Sequence, residues 1–177
     1  VGAKFPLSDK HIQLATIIGE DRFTTVLSAV QQCEVVLIAT PPMAIFEVIT
    51  EMGDVSGKII IDATNTVRQK PTPYDTVFHA LADKTAAKVV KCFNSTGFEN
   101  ILNPVYNGRG IDMFMAGDSD LAKSVAHQLA LDAGFGACMD FGKSDKVALL
   151  EQFALSWINL AIMQGHGRNM AFVVVRR

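Results

Sequence analysis

Along the chain, short continuous apolar runs alternate with stretches whose apolar residues recur every three or four positions. Residues 34–39 lose all polar alternation after Glu34, residues 58–62 (Lys-Ile-Ile-Ile-Asp) form a second run and residues 88–93 (Lys-Val-Val-Lys-Cys-Phe) a third. Weaker runs occupy 112–116 and 137–141. Short β-branched runs without alternation predict parallel strands buried on both faces. Between them, 9–18 with Ser8 as N-cap, 24–32, 42–52 with a proline in the opening turn, and 73–84 predict helices. A further helix is predicted over 118–133, which opens Asp-Ser-Asp and stops at Gly134. Strand and helix in alternation predict an α/β fold, doubly wound around a mostly parallel sheet with right-handed crossovers.

The last part of the chain has a different pattern. From 144 to 163, Val147, Leu150, Ala154, Trp157, Leu160 and Ala161 make an apolar stripe that Phe153, Ile158 and Ile162 widen around the helix. Such a helix is buried, either in its own core or against a second copy, and the second case predicts a homodimer. Gly165-His-Gly167 breaks the helix, and residues 168–177 are expected to form a final amphipathic turn or two.

Composition narrows the class. A chain of 177 residues with 49% hydrophobic and 19% charged residues is one domain's worth and able to bury a core, which excludes a disordered protein. A net charge of −2 argues against a nucleic-acid or anionic-membrane partner. The three cysteines are far apart, form no CxxC or Cys/His pair, and are expected to be reduced small hydrophobes; no metal site is predicted. No signal-peptide pattern occurs and no apolar run approaches the ~20 residues of a membrane helix, so a soluble, cytoplasmic protein is expected.

Ligands of open α/β sheets bind beyond the carboxyl ends of the strands. There the chain places Thr40, Pro41 and Pro42 after the first run, Ala63, Thr64, Asn65 and Thr66 after the second, and Asn94, Ser95, Thr96 and Gly97 after the third. Each cluster is also an ordinary turn composition, but three at equivalent strand ends form one composite rim. Asp62 ends its strand, where a carboxylate orients a loop or a ribose. The rim has no nucleophile–base–acid set: His11, His79 and His127 fall on predicted helices, His166 in the glycine break, and Cys92 inside a strand. No catalytic side chain is assigned, which suits a reaction whose hard step belongs to a bound cofactor.

Five segments occur in the order seen in one family: Val1-Gly-Ala-Lys4, Ile38-Ala-Thr-Pro-Pro42, Gly57-Lys-Ile-Ile-Ile-Asp-Ala-Thr-Asn65, Lys91-Cys-Phe-Asn-Ser95 and Met115-Ala-Gly-Asp118. The chain resembles the coenzyme F420-dependent NADP oxidoreductase-like proteins, the group that includes NADPH:F420 reductase. The stretches around Leu149-Leu-Glu-Gln-Phe153, Trp157 and Gly165-His-Gly-Arg-Asn169 are similar to its C-terminal helices. The resemblance implies a Rossmann-like fold, with a partial dinucleotide-binding domain over 1–142 and a helical segment over 143–177 that packs on the site or on a partner subunit.

The family's opening strand and GxGxxG turn, which set a pyrophosphate on a helix N-terminus, have no counterpart in the sequence. Val1-Gly2 looks like the tail of the family's second strand, so a βα unit of roughly 30 residues is expected upstream. Without it, the strand at 34–39 is an apolar edge that further residues or a partner should cover.

The resemblance also implies site residues. Lys4 stands where the family reads the NADP 2′-phosphate, with Ala3 in place of a frequent serine and Ser8 as a substitute for it. Thr40, Pro41 and Pro42 would meet the dinucleotide through the backbone, while Asn65, Asn94 and Ser95 would border the nicotinamide and the second substrate. The implied function is an NADP(H)-dependent oxidoreductase passing hydride to coenzyme F420, a flavin or another small acceptor, a carbonyl or imine included. The alternative is a non-catalytic dinucleotide-binding or protein-interaction module whose interface is the apolar C-terminal helix.

Overall fold

The computed structural model describes residues 1–4 and 9–177. In chain order the helices are α1 (Ile12–Ile18), α2 (Val26–Gln31), α3 (Ile45–Met52), α4 (Val77–Lys84), α5 (Phe98–Leu102), α6 (Asp120–Asp132) and α7 (Val147–Ile158). The strands β1 (Val35–Ile38), β2 (Ile59–Asp62) and β3 (Lys88–Lys91) lie parallel in that spatial order. Their register sets Ile38 level with Asp62 and Asp62 level with Lys91. Two more strands, β4 (Asp112–Met115) and β5 (Ala137–Asp140), are parallel to each other. Reciprocal backbone hydrogen bonds of 2.8 and 3.0 Å between Lys91 and Ala116 join them to β3 in the antiparallel sense. The α/β architecture with a mostly parallel sheet is therefore present, with one antiparallel junction.

Successive strand residues face opposite sides of a sheet, so these runs feed two cores. Ile60, Val89 and Phe114 pack with Ile45 and Met52 of α3, Phe78 and Leu81 of α4, and Leu150 of α7. Ile61, Val90, Met113 and Met115 pack on the other side with α6. That helix presents Ala122, Ala126 and Ala130, all fully buried. Alanine every four residues makes one smooth face and lets the helix lie close to the sheet.

Side-chain caps decide where three helices start. Thr25, Thr76 and Ser119 accept hydrogen bonds from the backbone N–H of Ser28, His79 and Ala122. The helix expected over 73–84 accordingly begins only at Val77, because Thr76 is extended and its hydroxyl competes for the first free N–H groups. The Ser8 cap expected for 9–18 lies outside the described residues; that segment is a 3-10 turn (Asp9–His11) running into α1.

The C-terminal helix is continuous over Ser144–Met163, opening in a 3-10 turn and ending in a π-helical turn (Asn159–Met163). Its 20 residues are long and apolar enough, by length and composition, to cross a membrane. Counting uninterrupted apolar residues missed this, because Asp145, Lys146, Glu151 and Gln152 interrupt the run. Val147, Leu150, Ala154, Trp157 and Ala161 bury one face of this helix, while Leu149, Ile162 and Met163 are exposed on it.

Residues 168–177 form no helix, contrary to the expected amphipathic turns. Their backbone groups are engaged elsewhere. Asn100 donates to the carbonyls of Arg168 and Met170, Phe172 accepts from the Asp112 N–H, and the Val174 N–H donates to the Asp112 carboxylate. Two further elements were not anticipated: α5, and the hairpin pairing Val105–Tyr106 with Arg109–Gly110.

At the other end of the sheet, the outer edge of β1 pairs with no strand among the described residues. Ala3 N–H donates to Thr24 and Thr24 N–H to Val1, so residues 1–3 run beside Thr24 as a parallel stub. Between this stub and β1 lies an apolar groove of about 1030 Å³, lined by Gly2, Phe23, Val36 and Leu37 among others. Leu37 is 53% exposed in it.

Candidate functional site

Register brings the polar clusters together. Asp62 and Lys91 are paired, so Asn65 and Asn94, each three residues further on, arrive at the same level. They meet: Asn65 Nδ2 donates to the Asn94 carbonyl (2.7 Å) and Asn94 Nδ2 to Asn65 Oδ1 (3.0 Å). Ile38 is level with Asp62 in the same way, which puts Thr40 and Thr64 at equivalent positions beyond β1 and β2. Three atoms on this rim, Thr40 Oγ1, Thr64 Oγ1 and Asn94 Oδ1, are buried without a hydrogen-bond partner among the described residues. Buried polar atoms are nearly always satisfied, and an orphan costs about 1–3 kcal/mol. Orphans at three adjacent strand ends make this rim the candidate site for a polar ligand, and their donor–acceptor set is compatible with the amide edge and hydroxyls of a dinucleotide.

The other predicted site residues fall as follows. Pro41 is extended and Pro42 opens the 3-10 turn leading into α3. Ser95 is buried, and its hydroxyl points at the Met113 sulfur (3.5 Å), away from an open site. Ala3 gives its N–H to Thr24. Lys4 is half exposed and forms an ion pair with Glu47 of α3, so it stands beside the helix that the Thr40–Pro42 turn begins. The hydrogen bond from Lys4 to Glu47, reinforced by the carboxylate's charge, raises the pKa of the Lys4 ammonium. Ser8 lies outside the described residues.

Beneath the rim sits a charged cluster that the sequence reading did not assemble. Lys91 is fully buried, and its Nζ donates to Asp62 Oδ2 (2.9 Å) and Glu151 Oε1 (2.6 Å). Asp62 Oδ1 accepts from the Thr64 N–H (2.9 Å), which realises the loop-orienting role expected of it. Glu151 Oε2 accepts from the Thr66 N–H (2.9 Å) and also from the Thr66 hydroxyl. The available signal was a single carboxylate inside the otherwise apolar stripe of the C-terminal helix.

The rim residues 40–42, 63–66 and 94–97 include no histidine, cysteine, lysine or carboxylate. Burial and the neighbouring Cys138 thiol, 3.9 Å away, push the Cys92 thiol well above its ordinary range, the opposite of an activated nucleophile. His79 is engaged with Thr76 (2.7 Å) and His127 with the Cys138 carbonyl (3.2 Å). Among the described residues no group of acidic, histidine or cysteine side chains is arranged to hold a metal ion.

The family model described as NADP oxidoreductase, coenzyme F420-dependent matches residues 7–66. Among curated proteins none matches the sequence. A solved structure from Arthrobacter sp. FB24, provisionally named an F420-dependent NADP-reductase, superposes with a TM-score of 0.74 at 23% identity, over 87% of this chain and 75% of that one. A hypothetical protein from Sinorhizobium meliloti gives 0.67 at 20% identity, over 95% and 79%. A reductive aminase from Aspergillus terreus, solved with NADPH and ethyl-5-oxohexanoate, gives 0.62 at 15% identity, over 89% and 52%. At these identities the likeness is one of fold. Residues 7–66 thus match the model of the coenzyme F420-dependent NADP oxidoreductase family, and the chain has the Rossmann-like α/β fold of the reductases it superposes on.

Proposed function

We propose that the protein is an NADP(H)-dependent oxidoreductase that transfers hydride between the nicotinamide and a second cofactor or small acceptor of the F420 or flavin kind. The observation that carries this reading is the row of polar atoms Thr40 Oγ1, Thr64 Oγ1 and Asn94 Oδ1, without a partner among the described residues, along three adjacent strand ends. The family match over 7–66 supports the same reading. Bound NADPH supplies the hydride. The chain's own part is to orient the ring: the paired amides of Asn65 and Asn94 form a stiff floor, and the orphaned hydroxyls and amide oxygen take its polar edge. Hydride transfer depends chiefly on alignment of donor and acceptor, so a rim without an acid–base pair is sufficient for it.

The test is NADPH consumption in the presence of coenzyme F420 or a flavin, alongside direct measurement of NADPH and NADH binding. Turnover supports the reductase; tight binding without turnover in any acceptor supports a dinucleotide-binding module instead. Lys4 is proposed as the reader of the 2′-phosphate, leaving Glu47 to do so. Lys4→Ala is expected to weaken NADPH about tenfold, the scale of one charge-assisted hydrogen bond, and to leave NADH nearly unchanged. Equal losses for both dinucleotides would remove Lys4 from the site.

The exposed Leu149, Ile162 and Met163 on the C-terminal helical segment support a homodimer. Light scattering is expected to give twice the chain mass, and Met163→Glu to lower it; a monomeric wild-type protein would refute the dimer. A cytoplasmic location is proposed because one face of the C-terminal helix, with Val147, Leu150, Ala154, Trp157 and Ala161, is buried against the rest of the protein rather than free to meet lipid.

A further inference from the structure

The loop after β2 carries Asn65, and it is gripped on both sides of that residue. On one side the Thr64 N–H donates to Asp62, on its own strand. On the other, the N–H and hydroxyl of Thr66 donate to Glu151, which comes from α7, 85 residues further along the chain. Both carboxylates share the ammonium of the buried Lys91, so neither can swing away without leaving that charge half paired. A leucine at 151 would continue the apolar stripe and spare the desolvation of a carboxylate. What only the carboxylate supplies is an oxygen for Lys91 and a second oxygen for Thr66. An amide accepts with one oxygen and donates with its nitrogen, so glutamine can serve one side but not both.

We infer that Glu151 is a positioning residue: it fixes the loop of residues 63–66 so that Asn65 meets Asn94, and it thereby ties the C-terminal helix to the cofactor rim. The inference rests on the proposed NADP(H) site. Glu151 acts through Thr66, whose N–H and hydroxyl it accepts, and so through Asn65. Changes in how α7 packs are then transmitted to the floor beneath the nicotinamide.

The experiment pairs hydrogen exchange of residues 63–66 with NADPH affinity, in wild type, Glu151→Gln and Thr66→Val. Thr66→Val leaves the Lys91 contacts intact and removes only the hydroxyl, so it guards against a Glu151 variant that fails to fold. The Thr66 amide is expected to exchange about tenfold faster in Glu151→Gln, as for the loss of one hydrogen bond. NADPH binding should weaken by a similar factor, while amides in the centre of β2 and β3 keep their protection. Thr66→Val should move both readouts in the same direction by a smaller factor, and adding it to Glu151→Gln should cost little more. Unchanged loop exchange in Glu151→Gln, or faster exchange with unchanged NADPH affinity, overturns the positioning role and leaves the cofactor reading standing. Wild-type protein that binds no NADPH overturns both.

Discussion

Replacing Lys91 with methionine should destabilise the fold by about 3–5 kcal/mol, the range for removing one partner from a buried ion pair. For a chain of this size that is a drop in Tm of roughly 10 °C. Methionine is close to lysine in shape, so little packing is lost; the cost is electrostatic. The Asp62 and Glu151 side chains are 0% and 7% exposed and converge on the ammonium from two elements. With it gone, two carboxylates would face each other where water barely reaches. Glu151→Gln is expected to be the milder change, because Lys91 keeps Asp62. Thermal denaturation of the two variants side by side checks the order. A Lys91→Met protein as stable as wild type would mean that the cluster is not desolvated as the structure has it.

Trp157→Ala is the second large effect, again about 3–5 kcal/mol, with a signature of its own. The indole is 3% exposed and its Nε1–H donates to the Met170 carbonyl (2.7 Å). The Arg168 guanidinium sits 5.8 Å from the ring centroid and pairs with Glu99, lowering the pKa of that carboxyl. Gly97 packs so closely that a Cβ there would lie 2.7 Å from the ring. Trp157 is thus the post to which residues 168–172 are tied. Its removal should release that segment and make the bond after Arg168 a fast tryptic cleavage site. Trp157→Phe keeps most of the bulk and loses the one hydrogen bond, so it should cost about 1 kcal/mol with slow cleavage. Destabilisation without accelerated cleavage at Arg168 would show that the segment is held by Asn100 and Asp112 alone.

Much of the architecture was legible because its causes are local. The five apolar runs lie within a residue or two of the five long strands, since continuous β-branched sequence bounded by turn residues has few other folded outcomes. The clusters Thr40–Pro42, Thr64–Thr66 and Asn94–Ser95 were legible as one rim, because parallel strands put all their carboxyl ends on one side. Their individual roles separated only in three dimensions. Asn65 and Asn94 face each other, whereas Ser95, adjacent in sequence and equally polar, turns inward to Met113.

The side-chain pairings that escaped the sequence reading share one property: the partner is far along the chain. Lys91 finds Glu151 across 60 residues, Cys92 finds Cys138 across 46, and Asn100 finds Met170 across 70. Residues 168–177 have a helix-compatible pattern, yet their carbonyls and N–H groups are taken by Asn100 and Asp112. By itself, then, the sequence determined the order of the five long strands and the side of the sheet on which the polar clusters collect, because periodicity and turn chemistry act between near neighbours. Tertiary structure alone decided which polar groups satisfy one another and which are left without a partner among the described residues, because a buried charge or amide takes whichever partner the packed sheet and helices deliver to it.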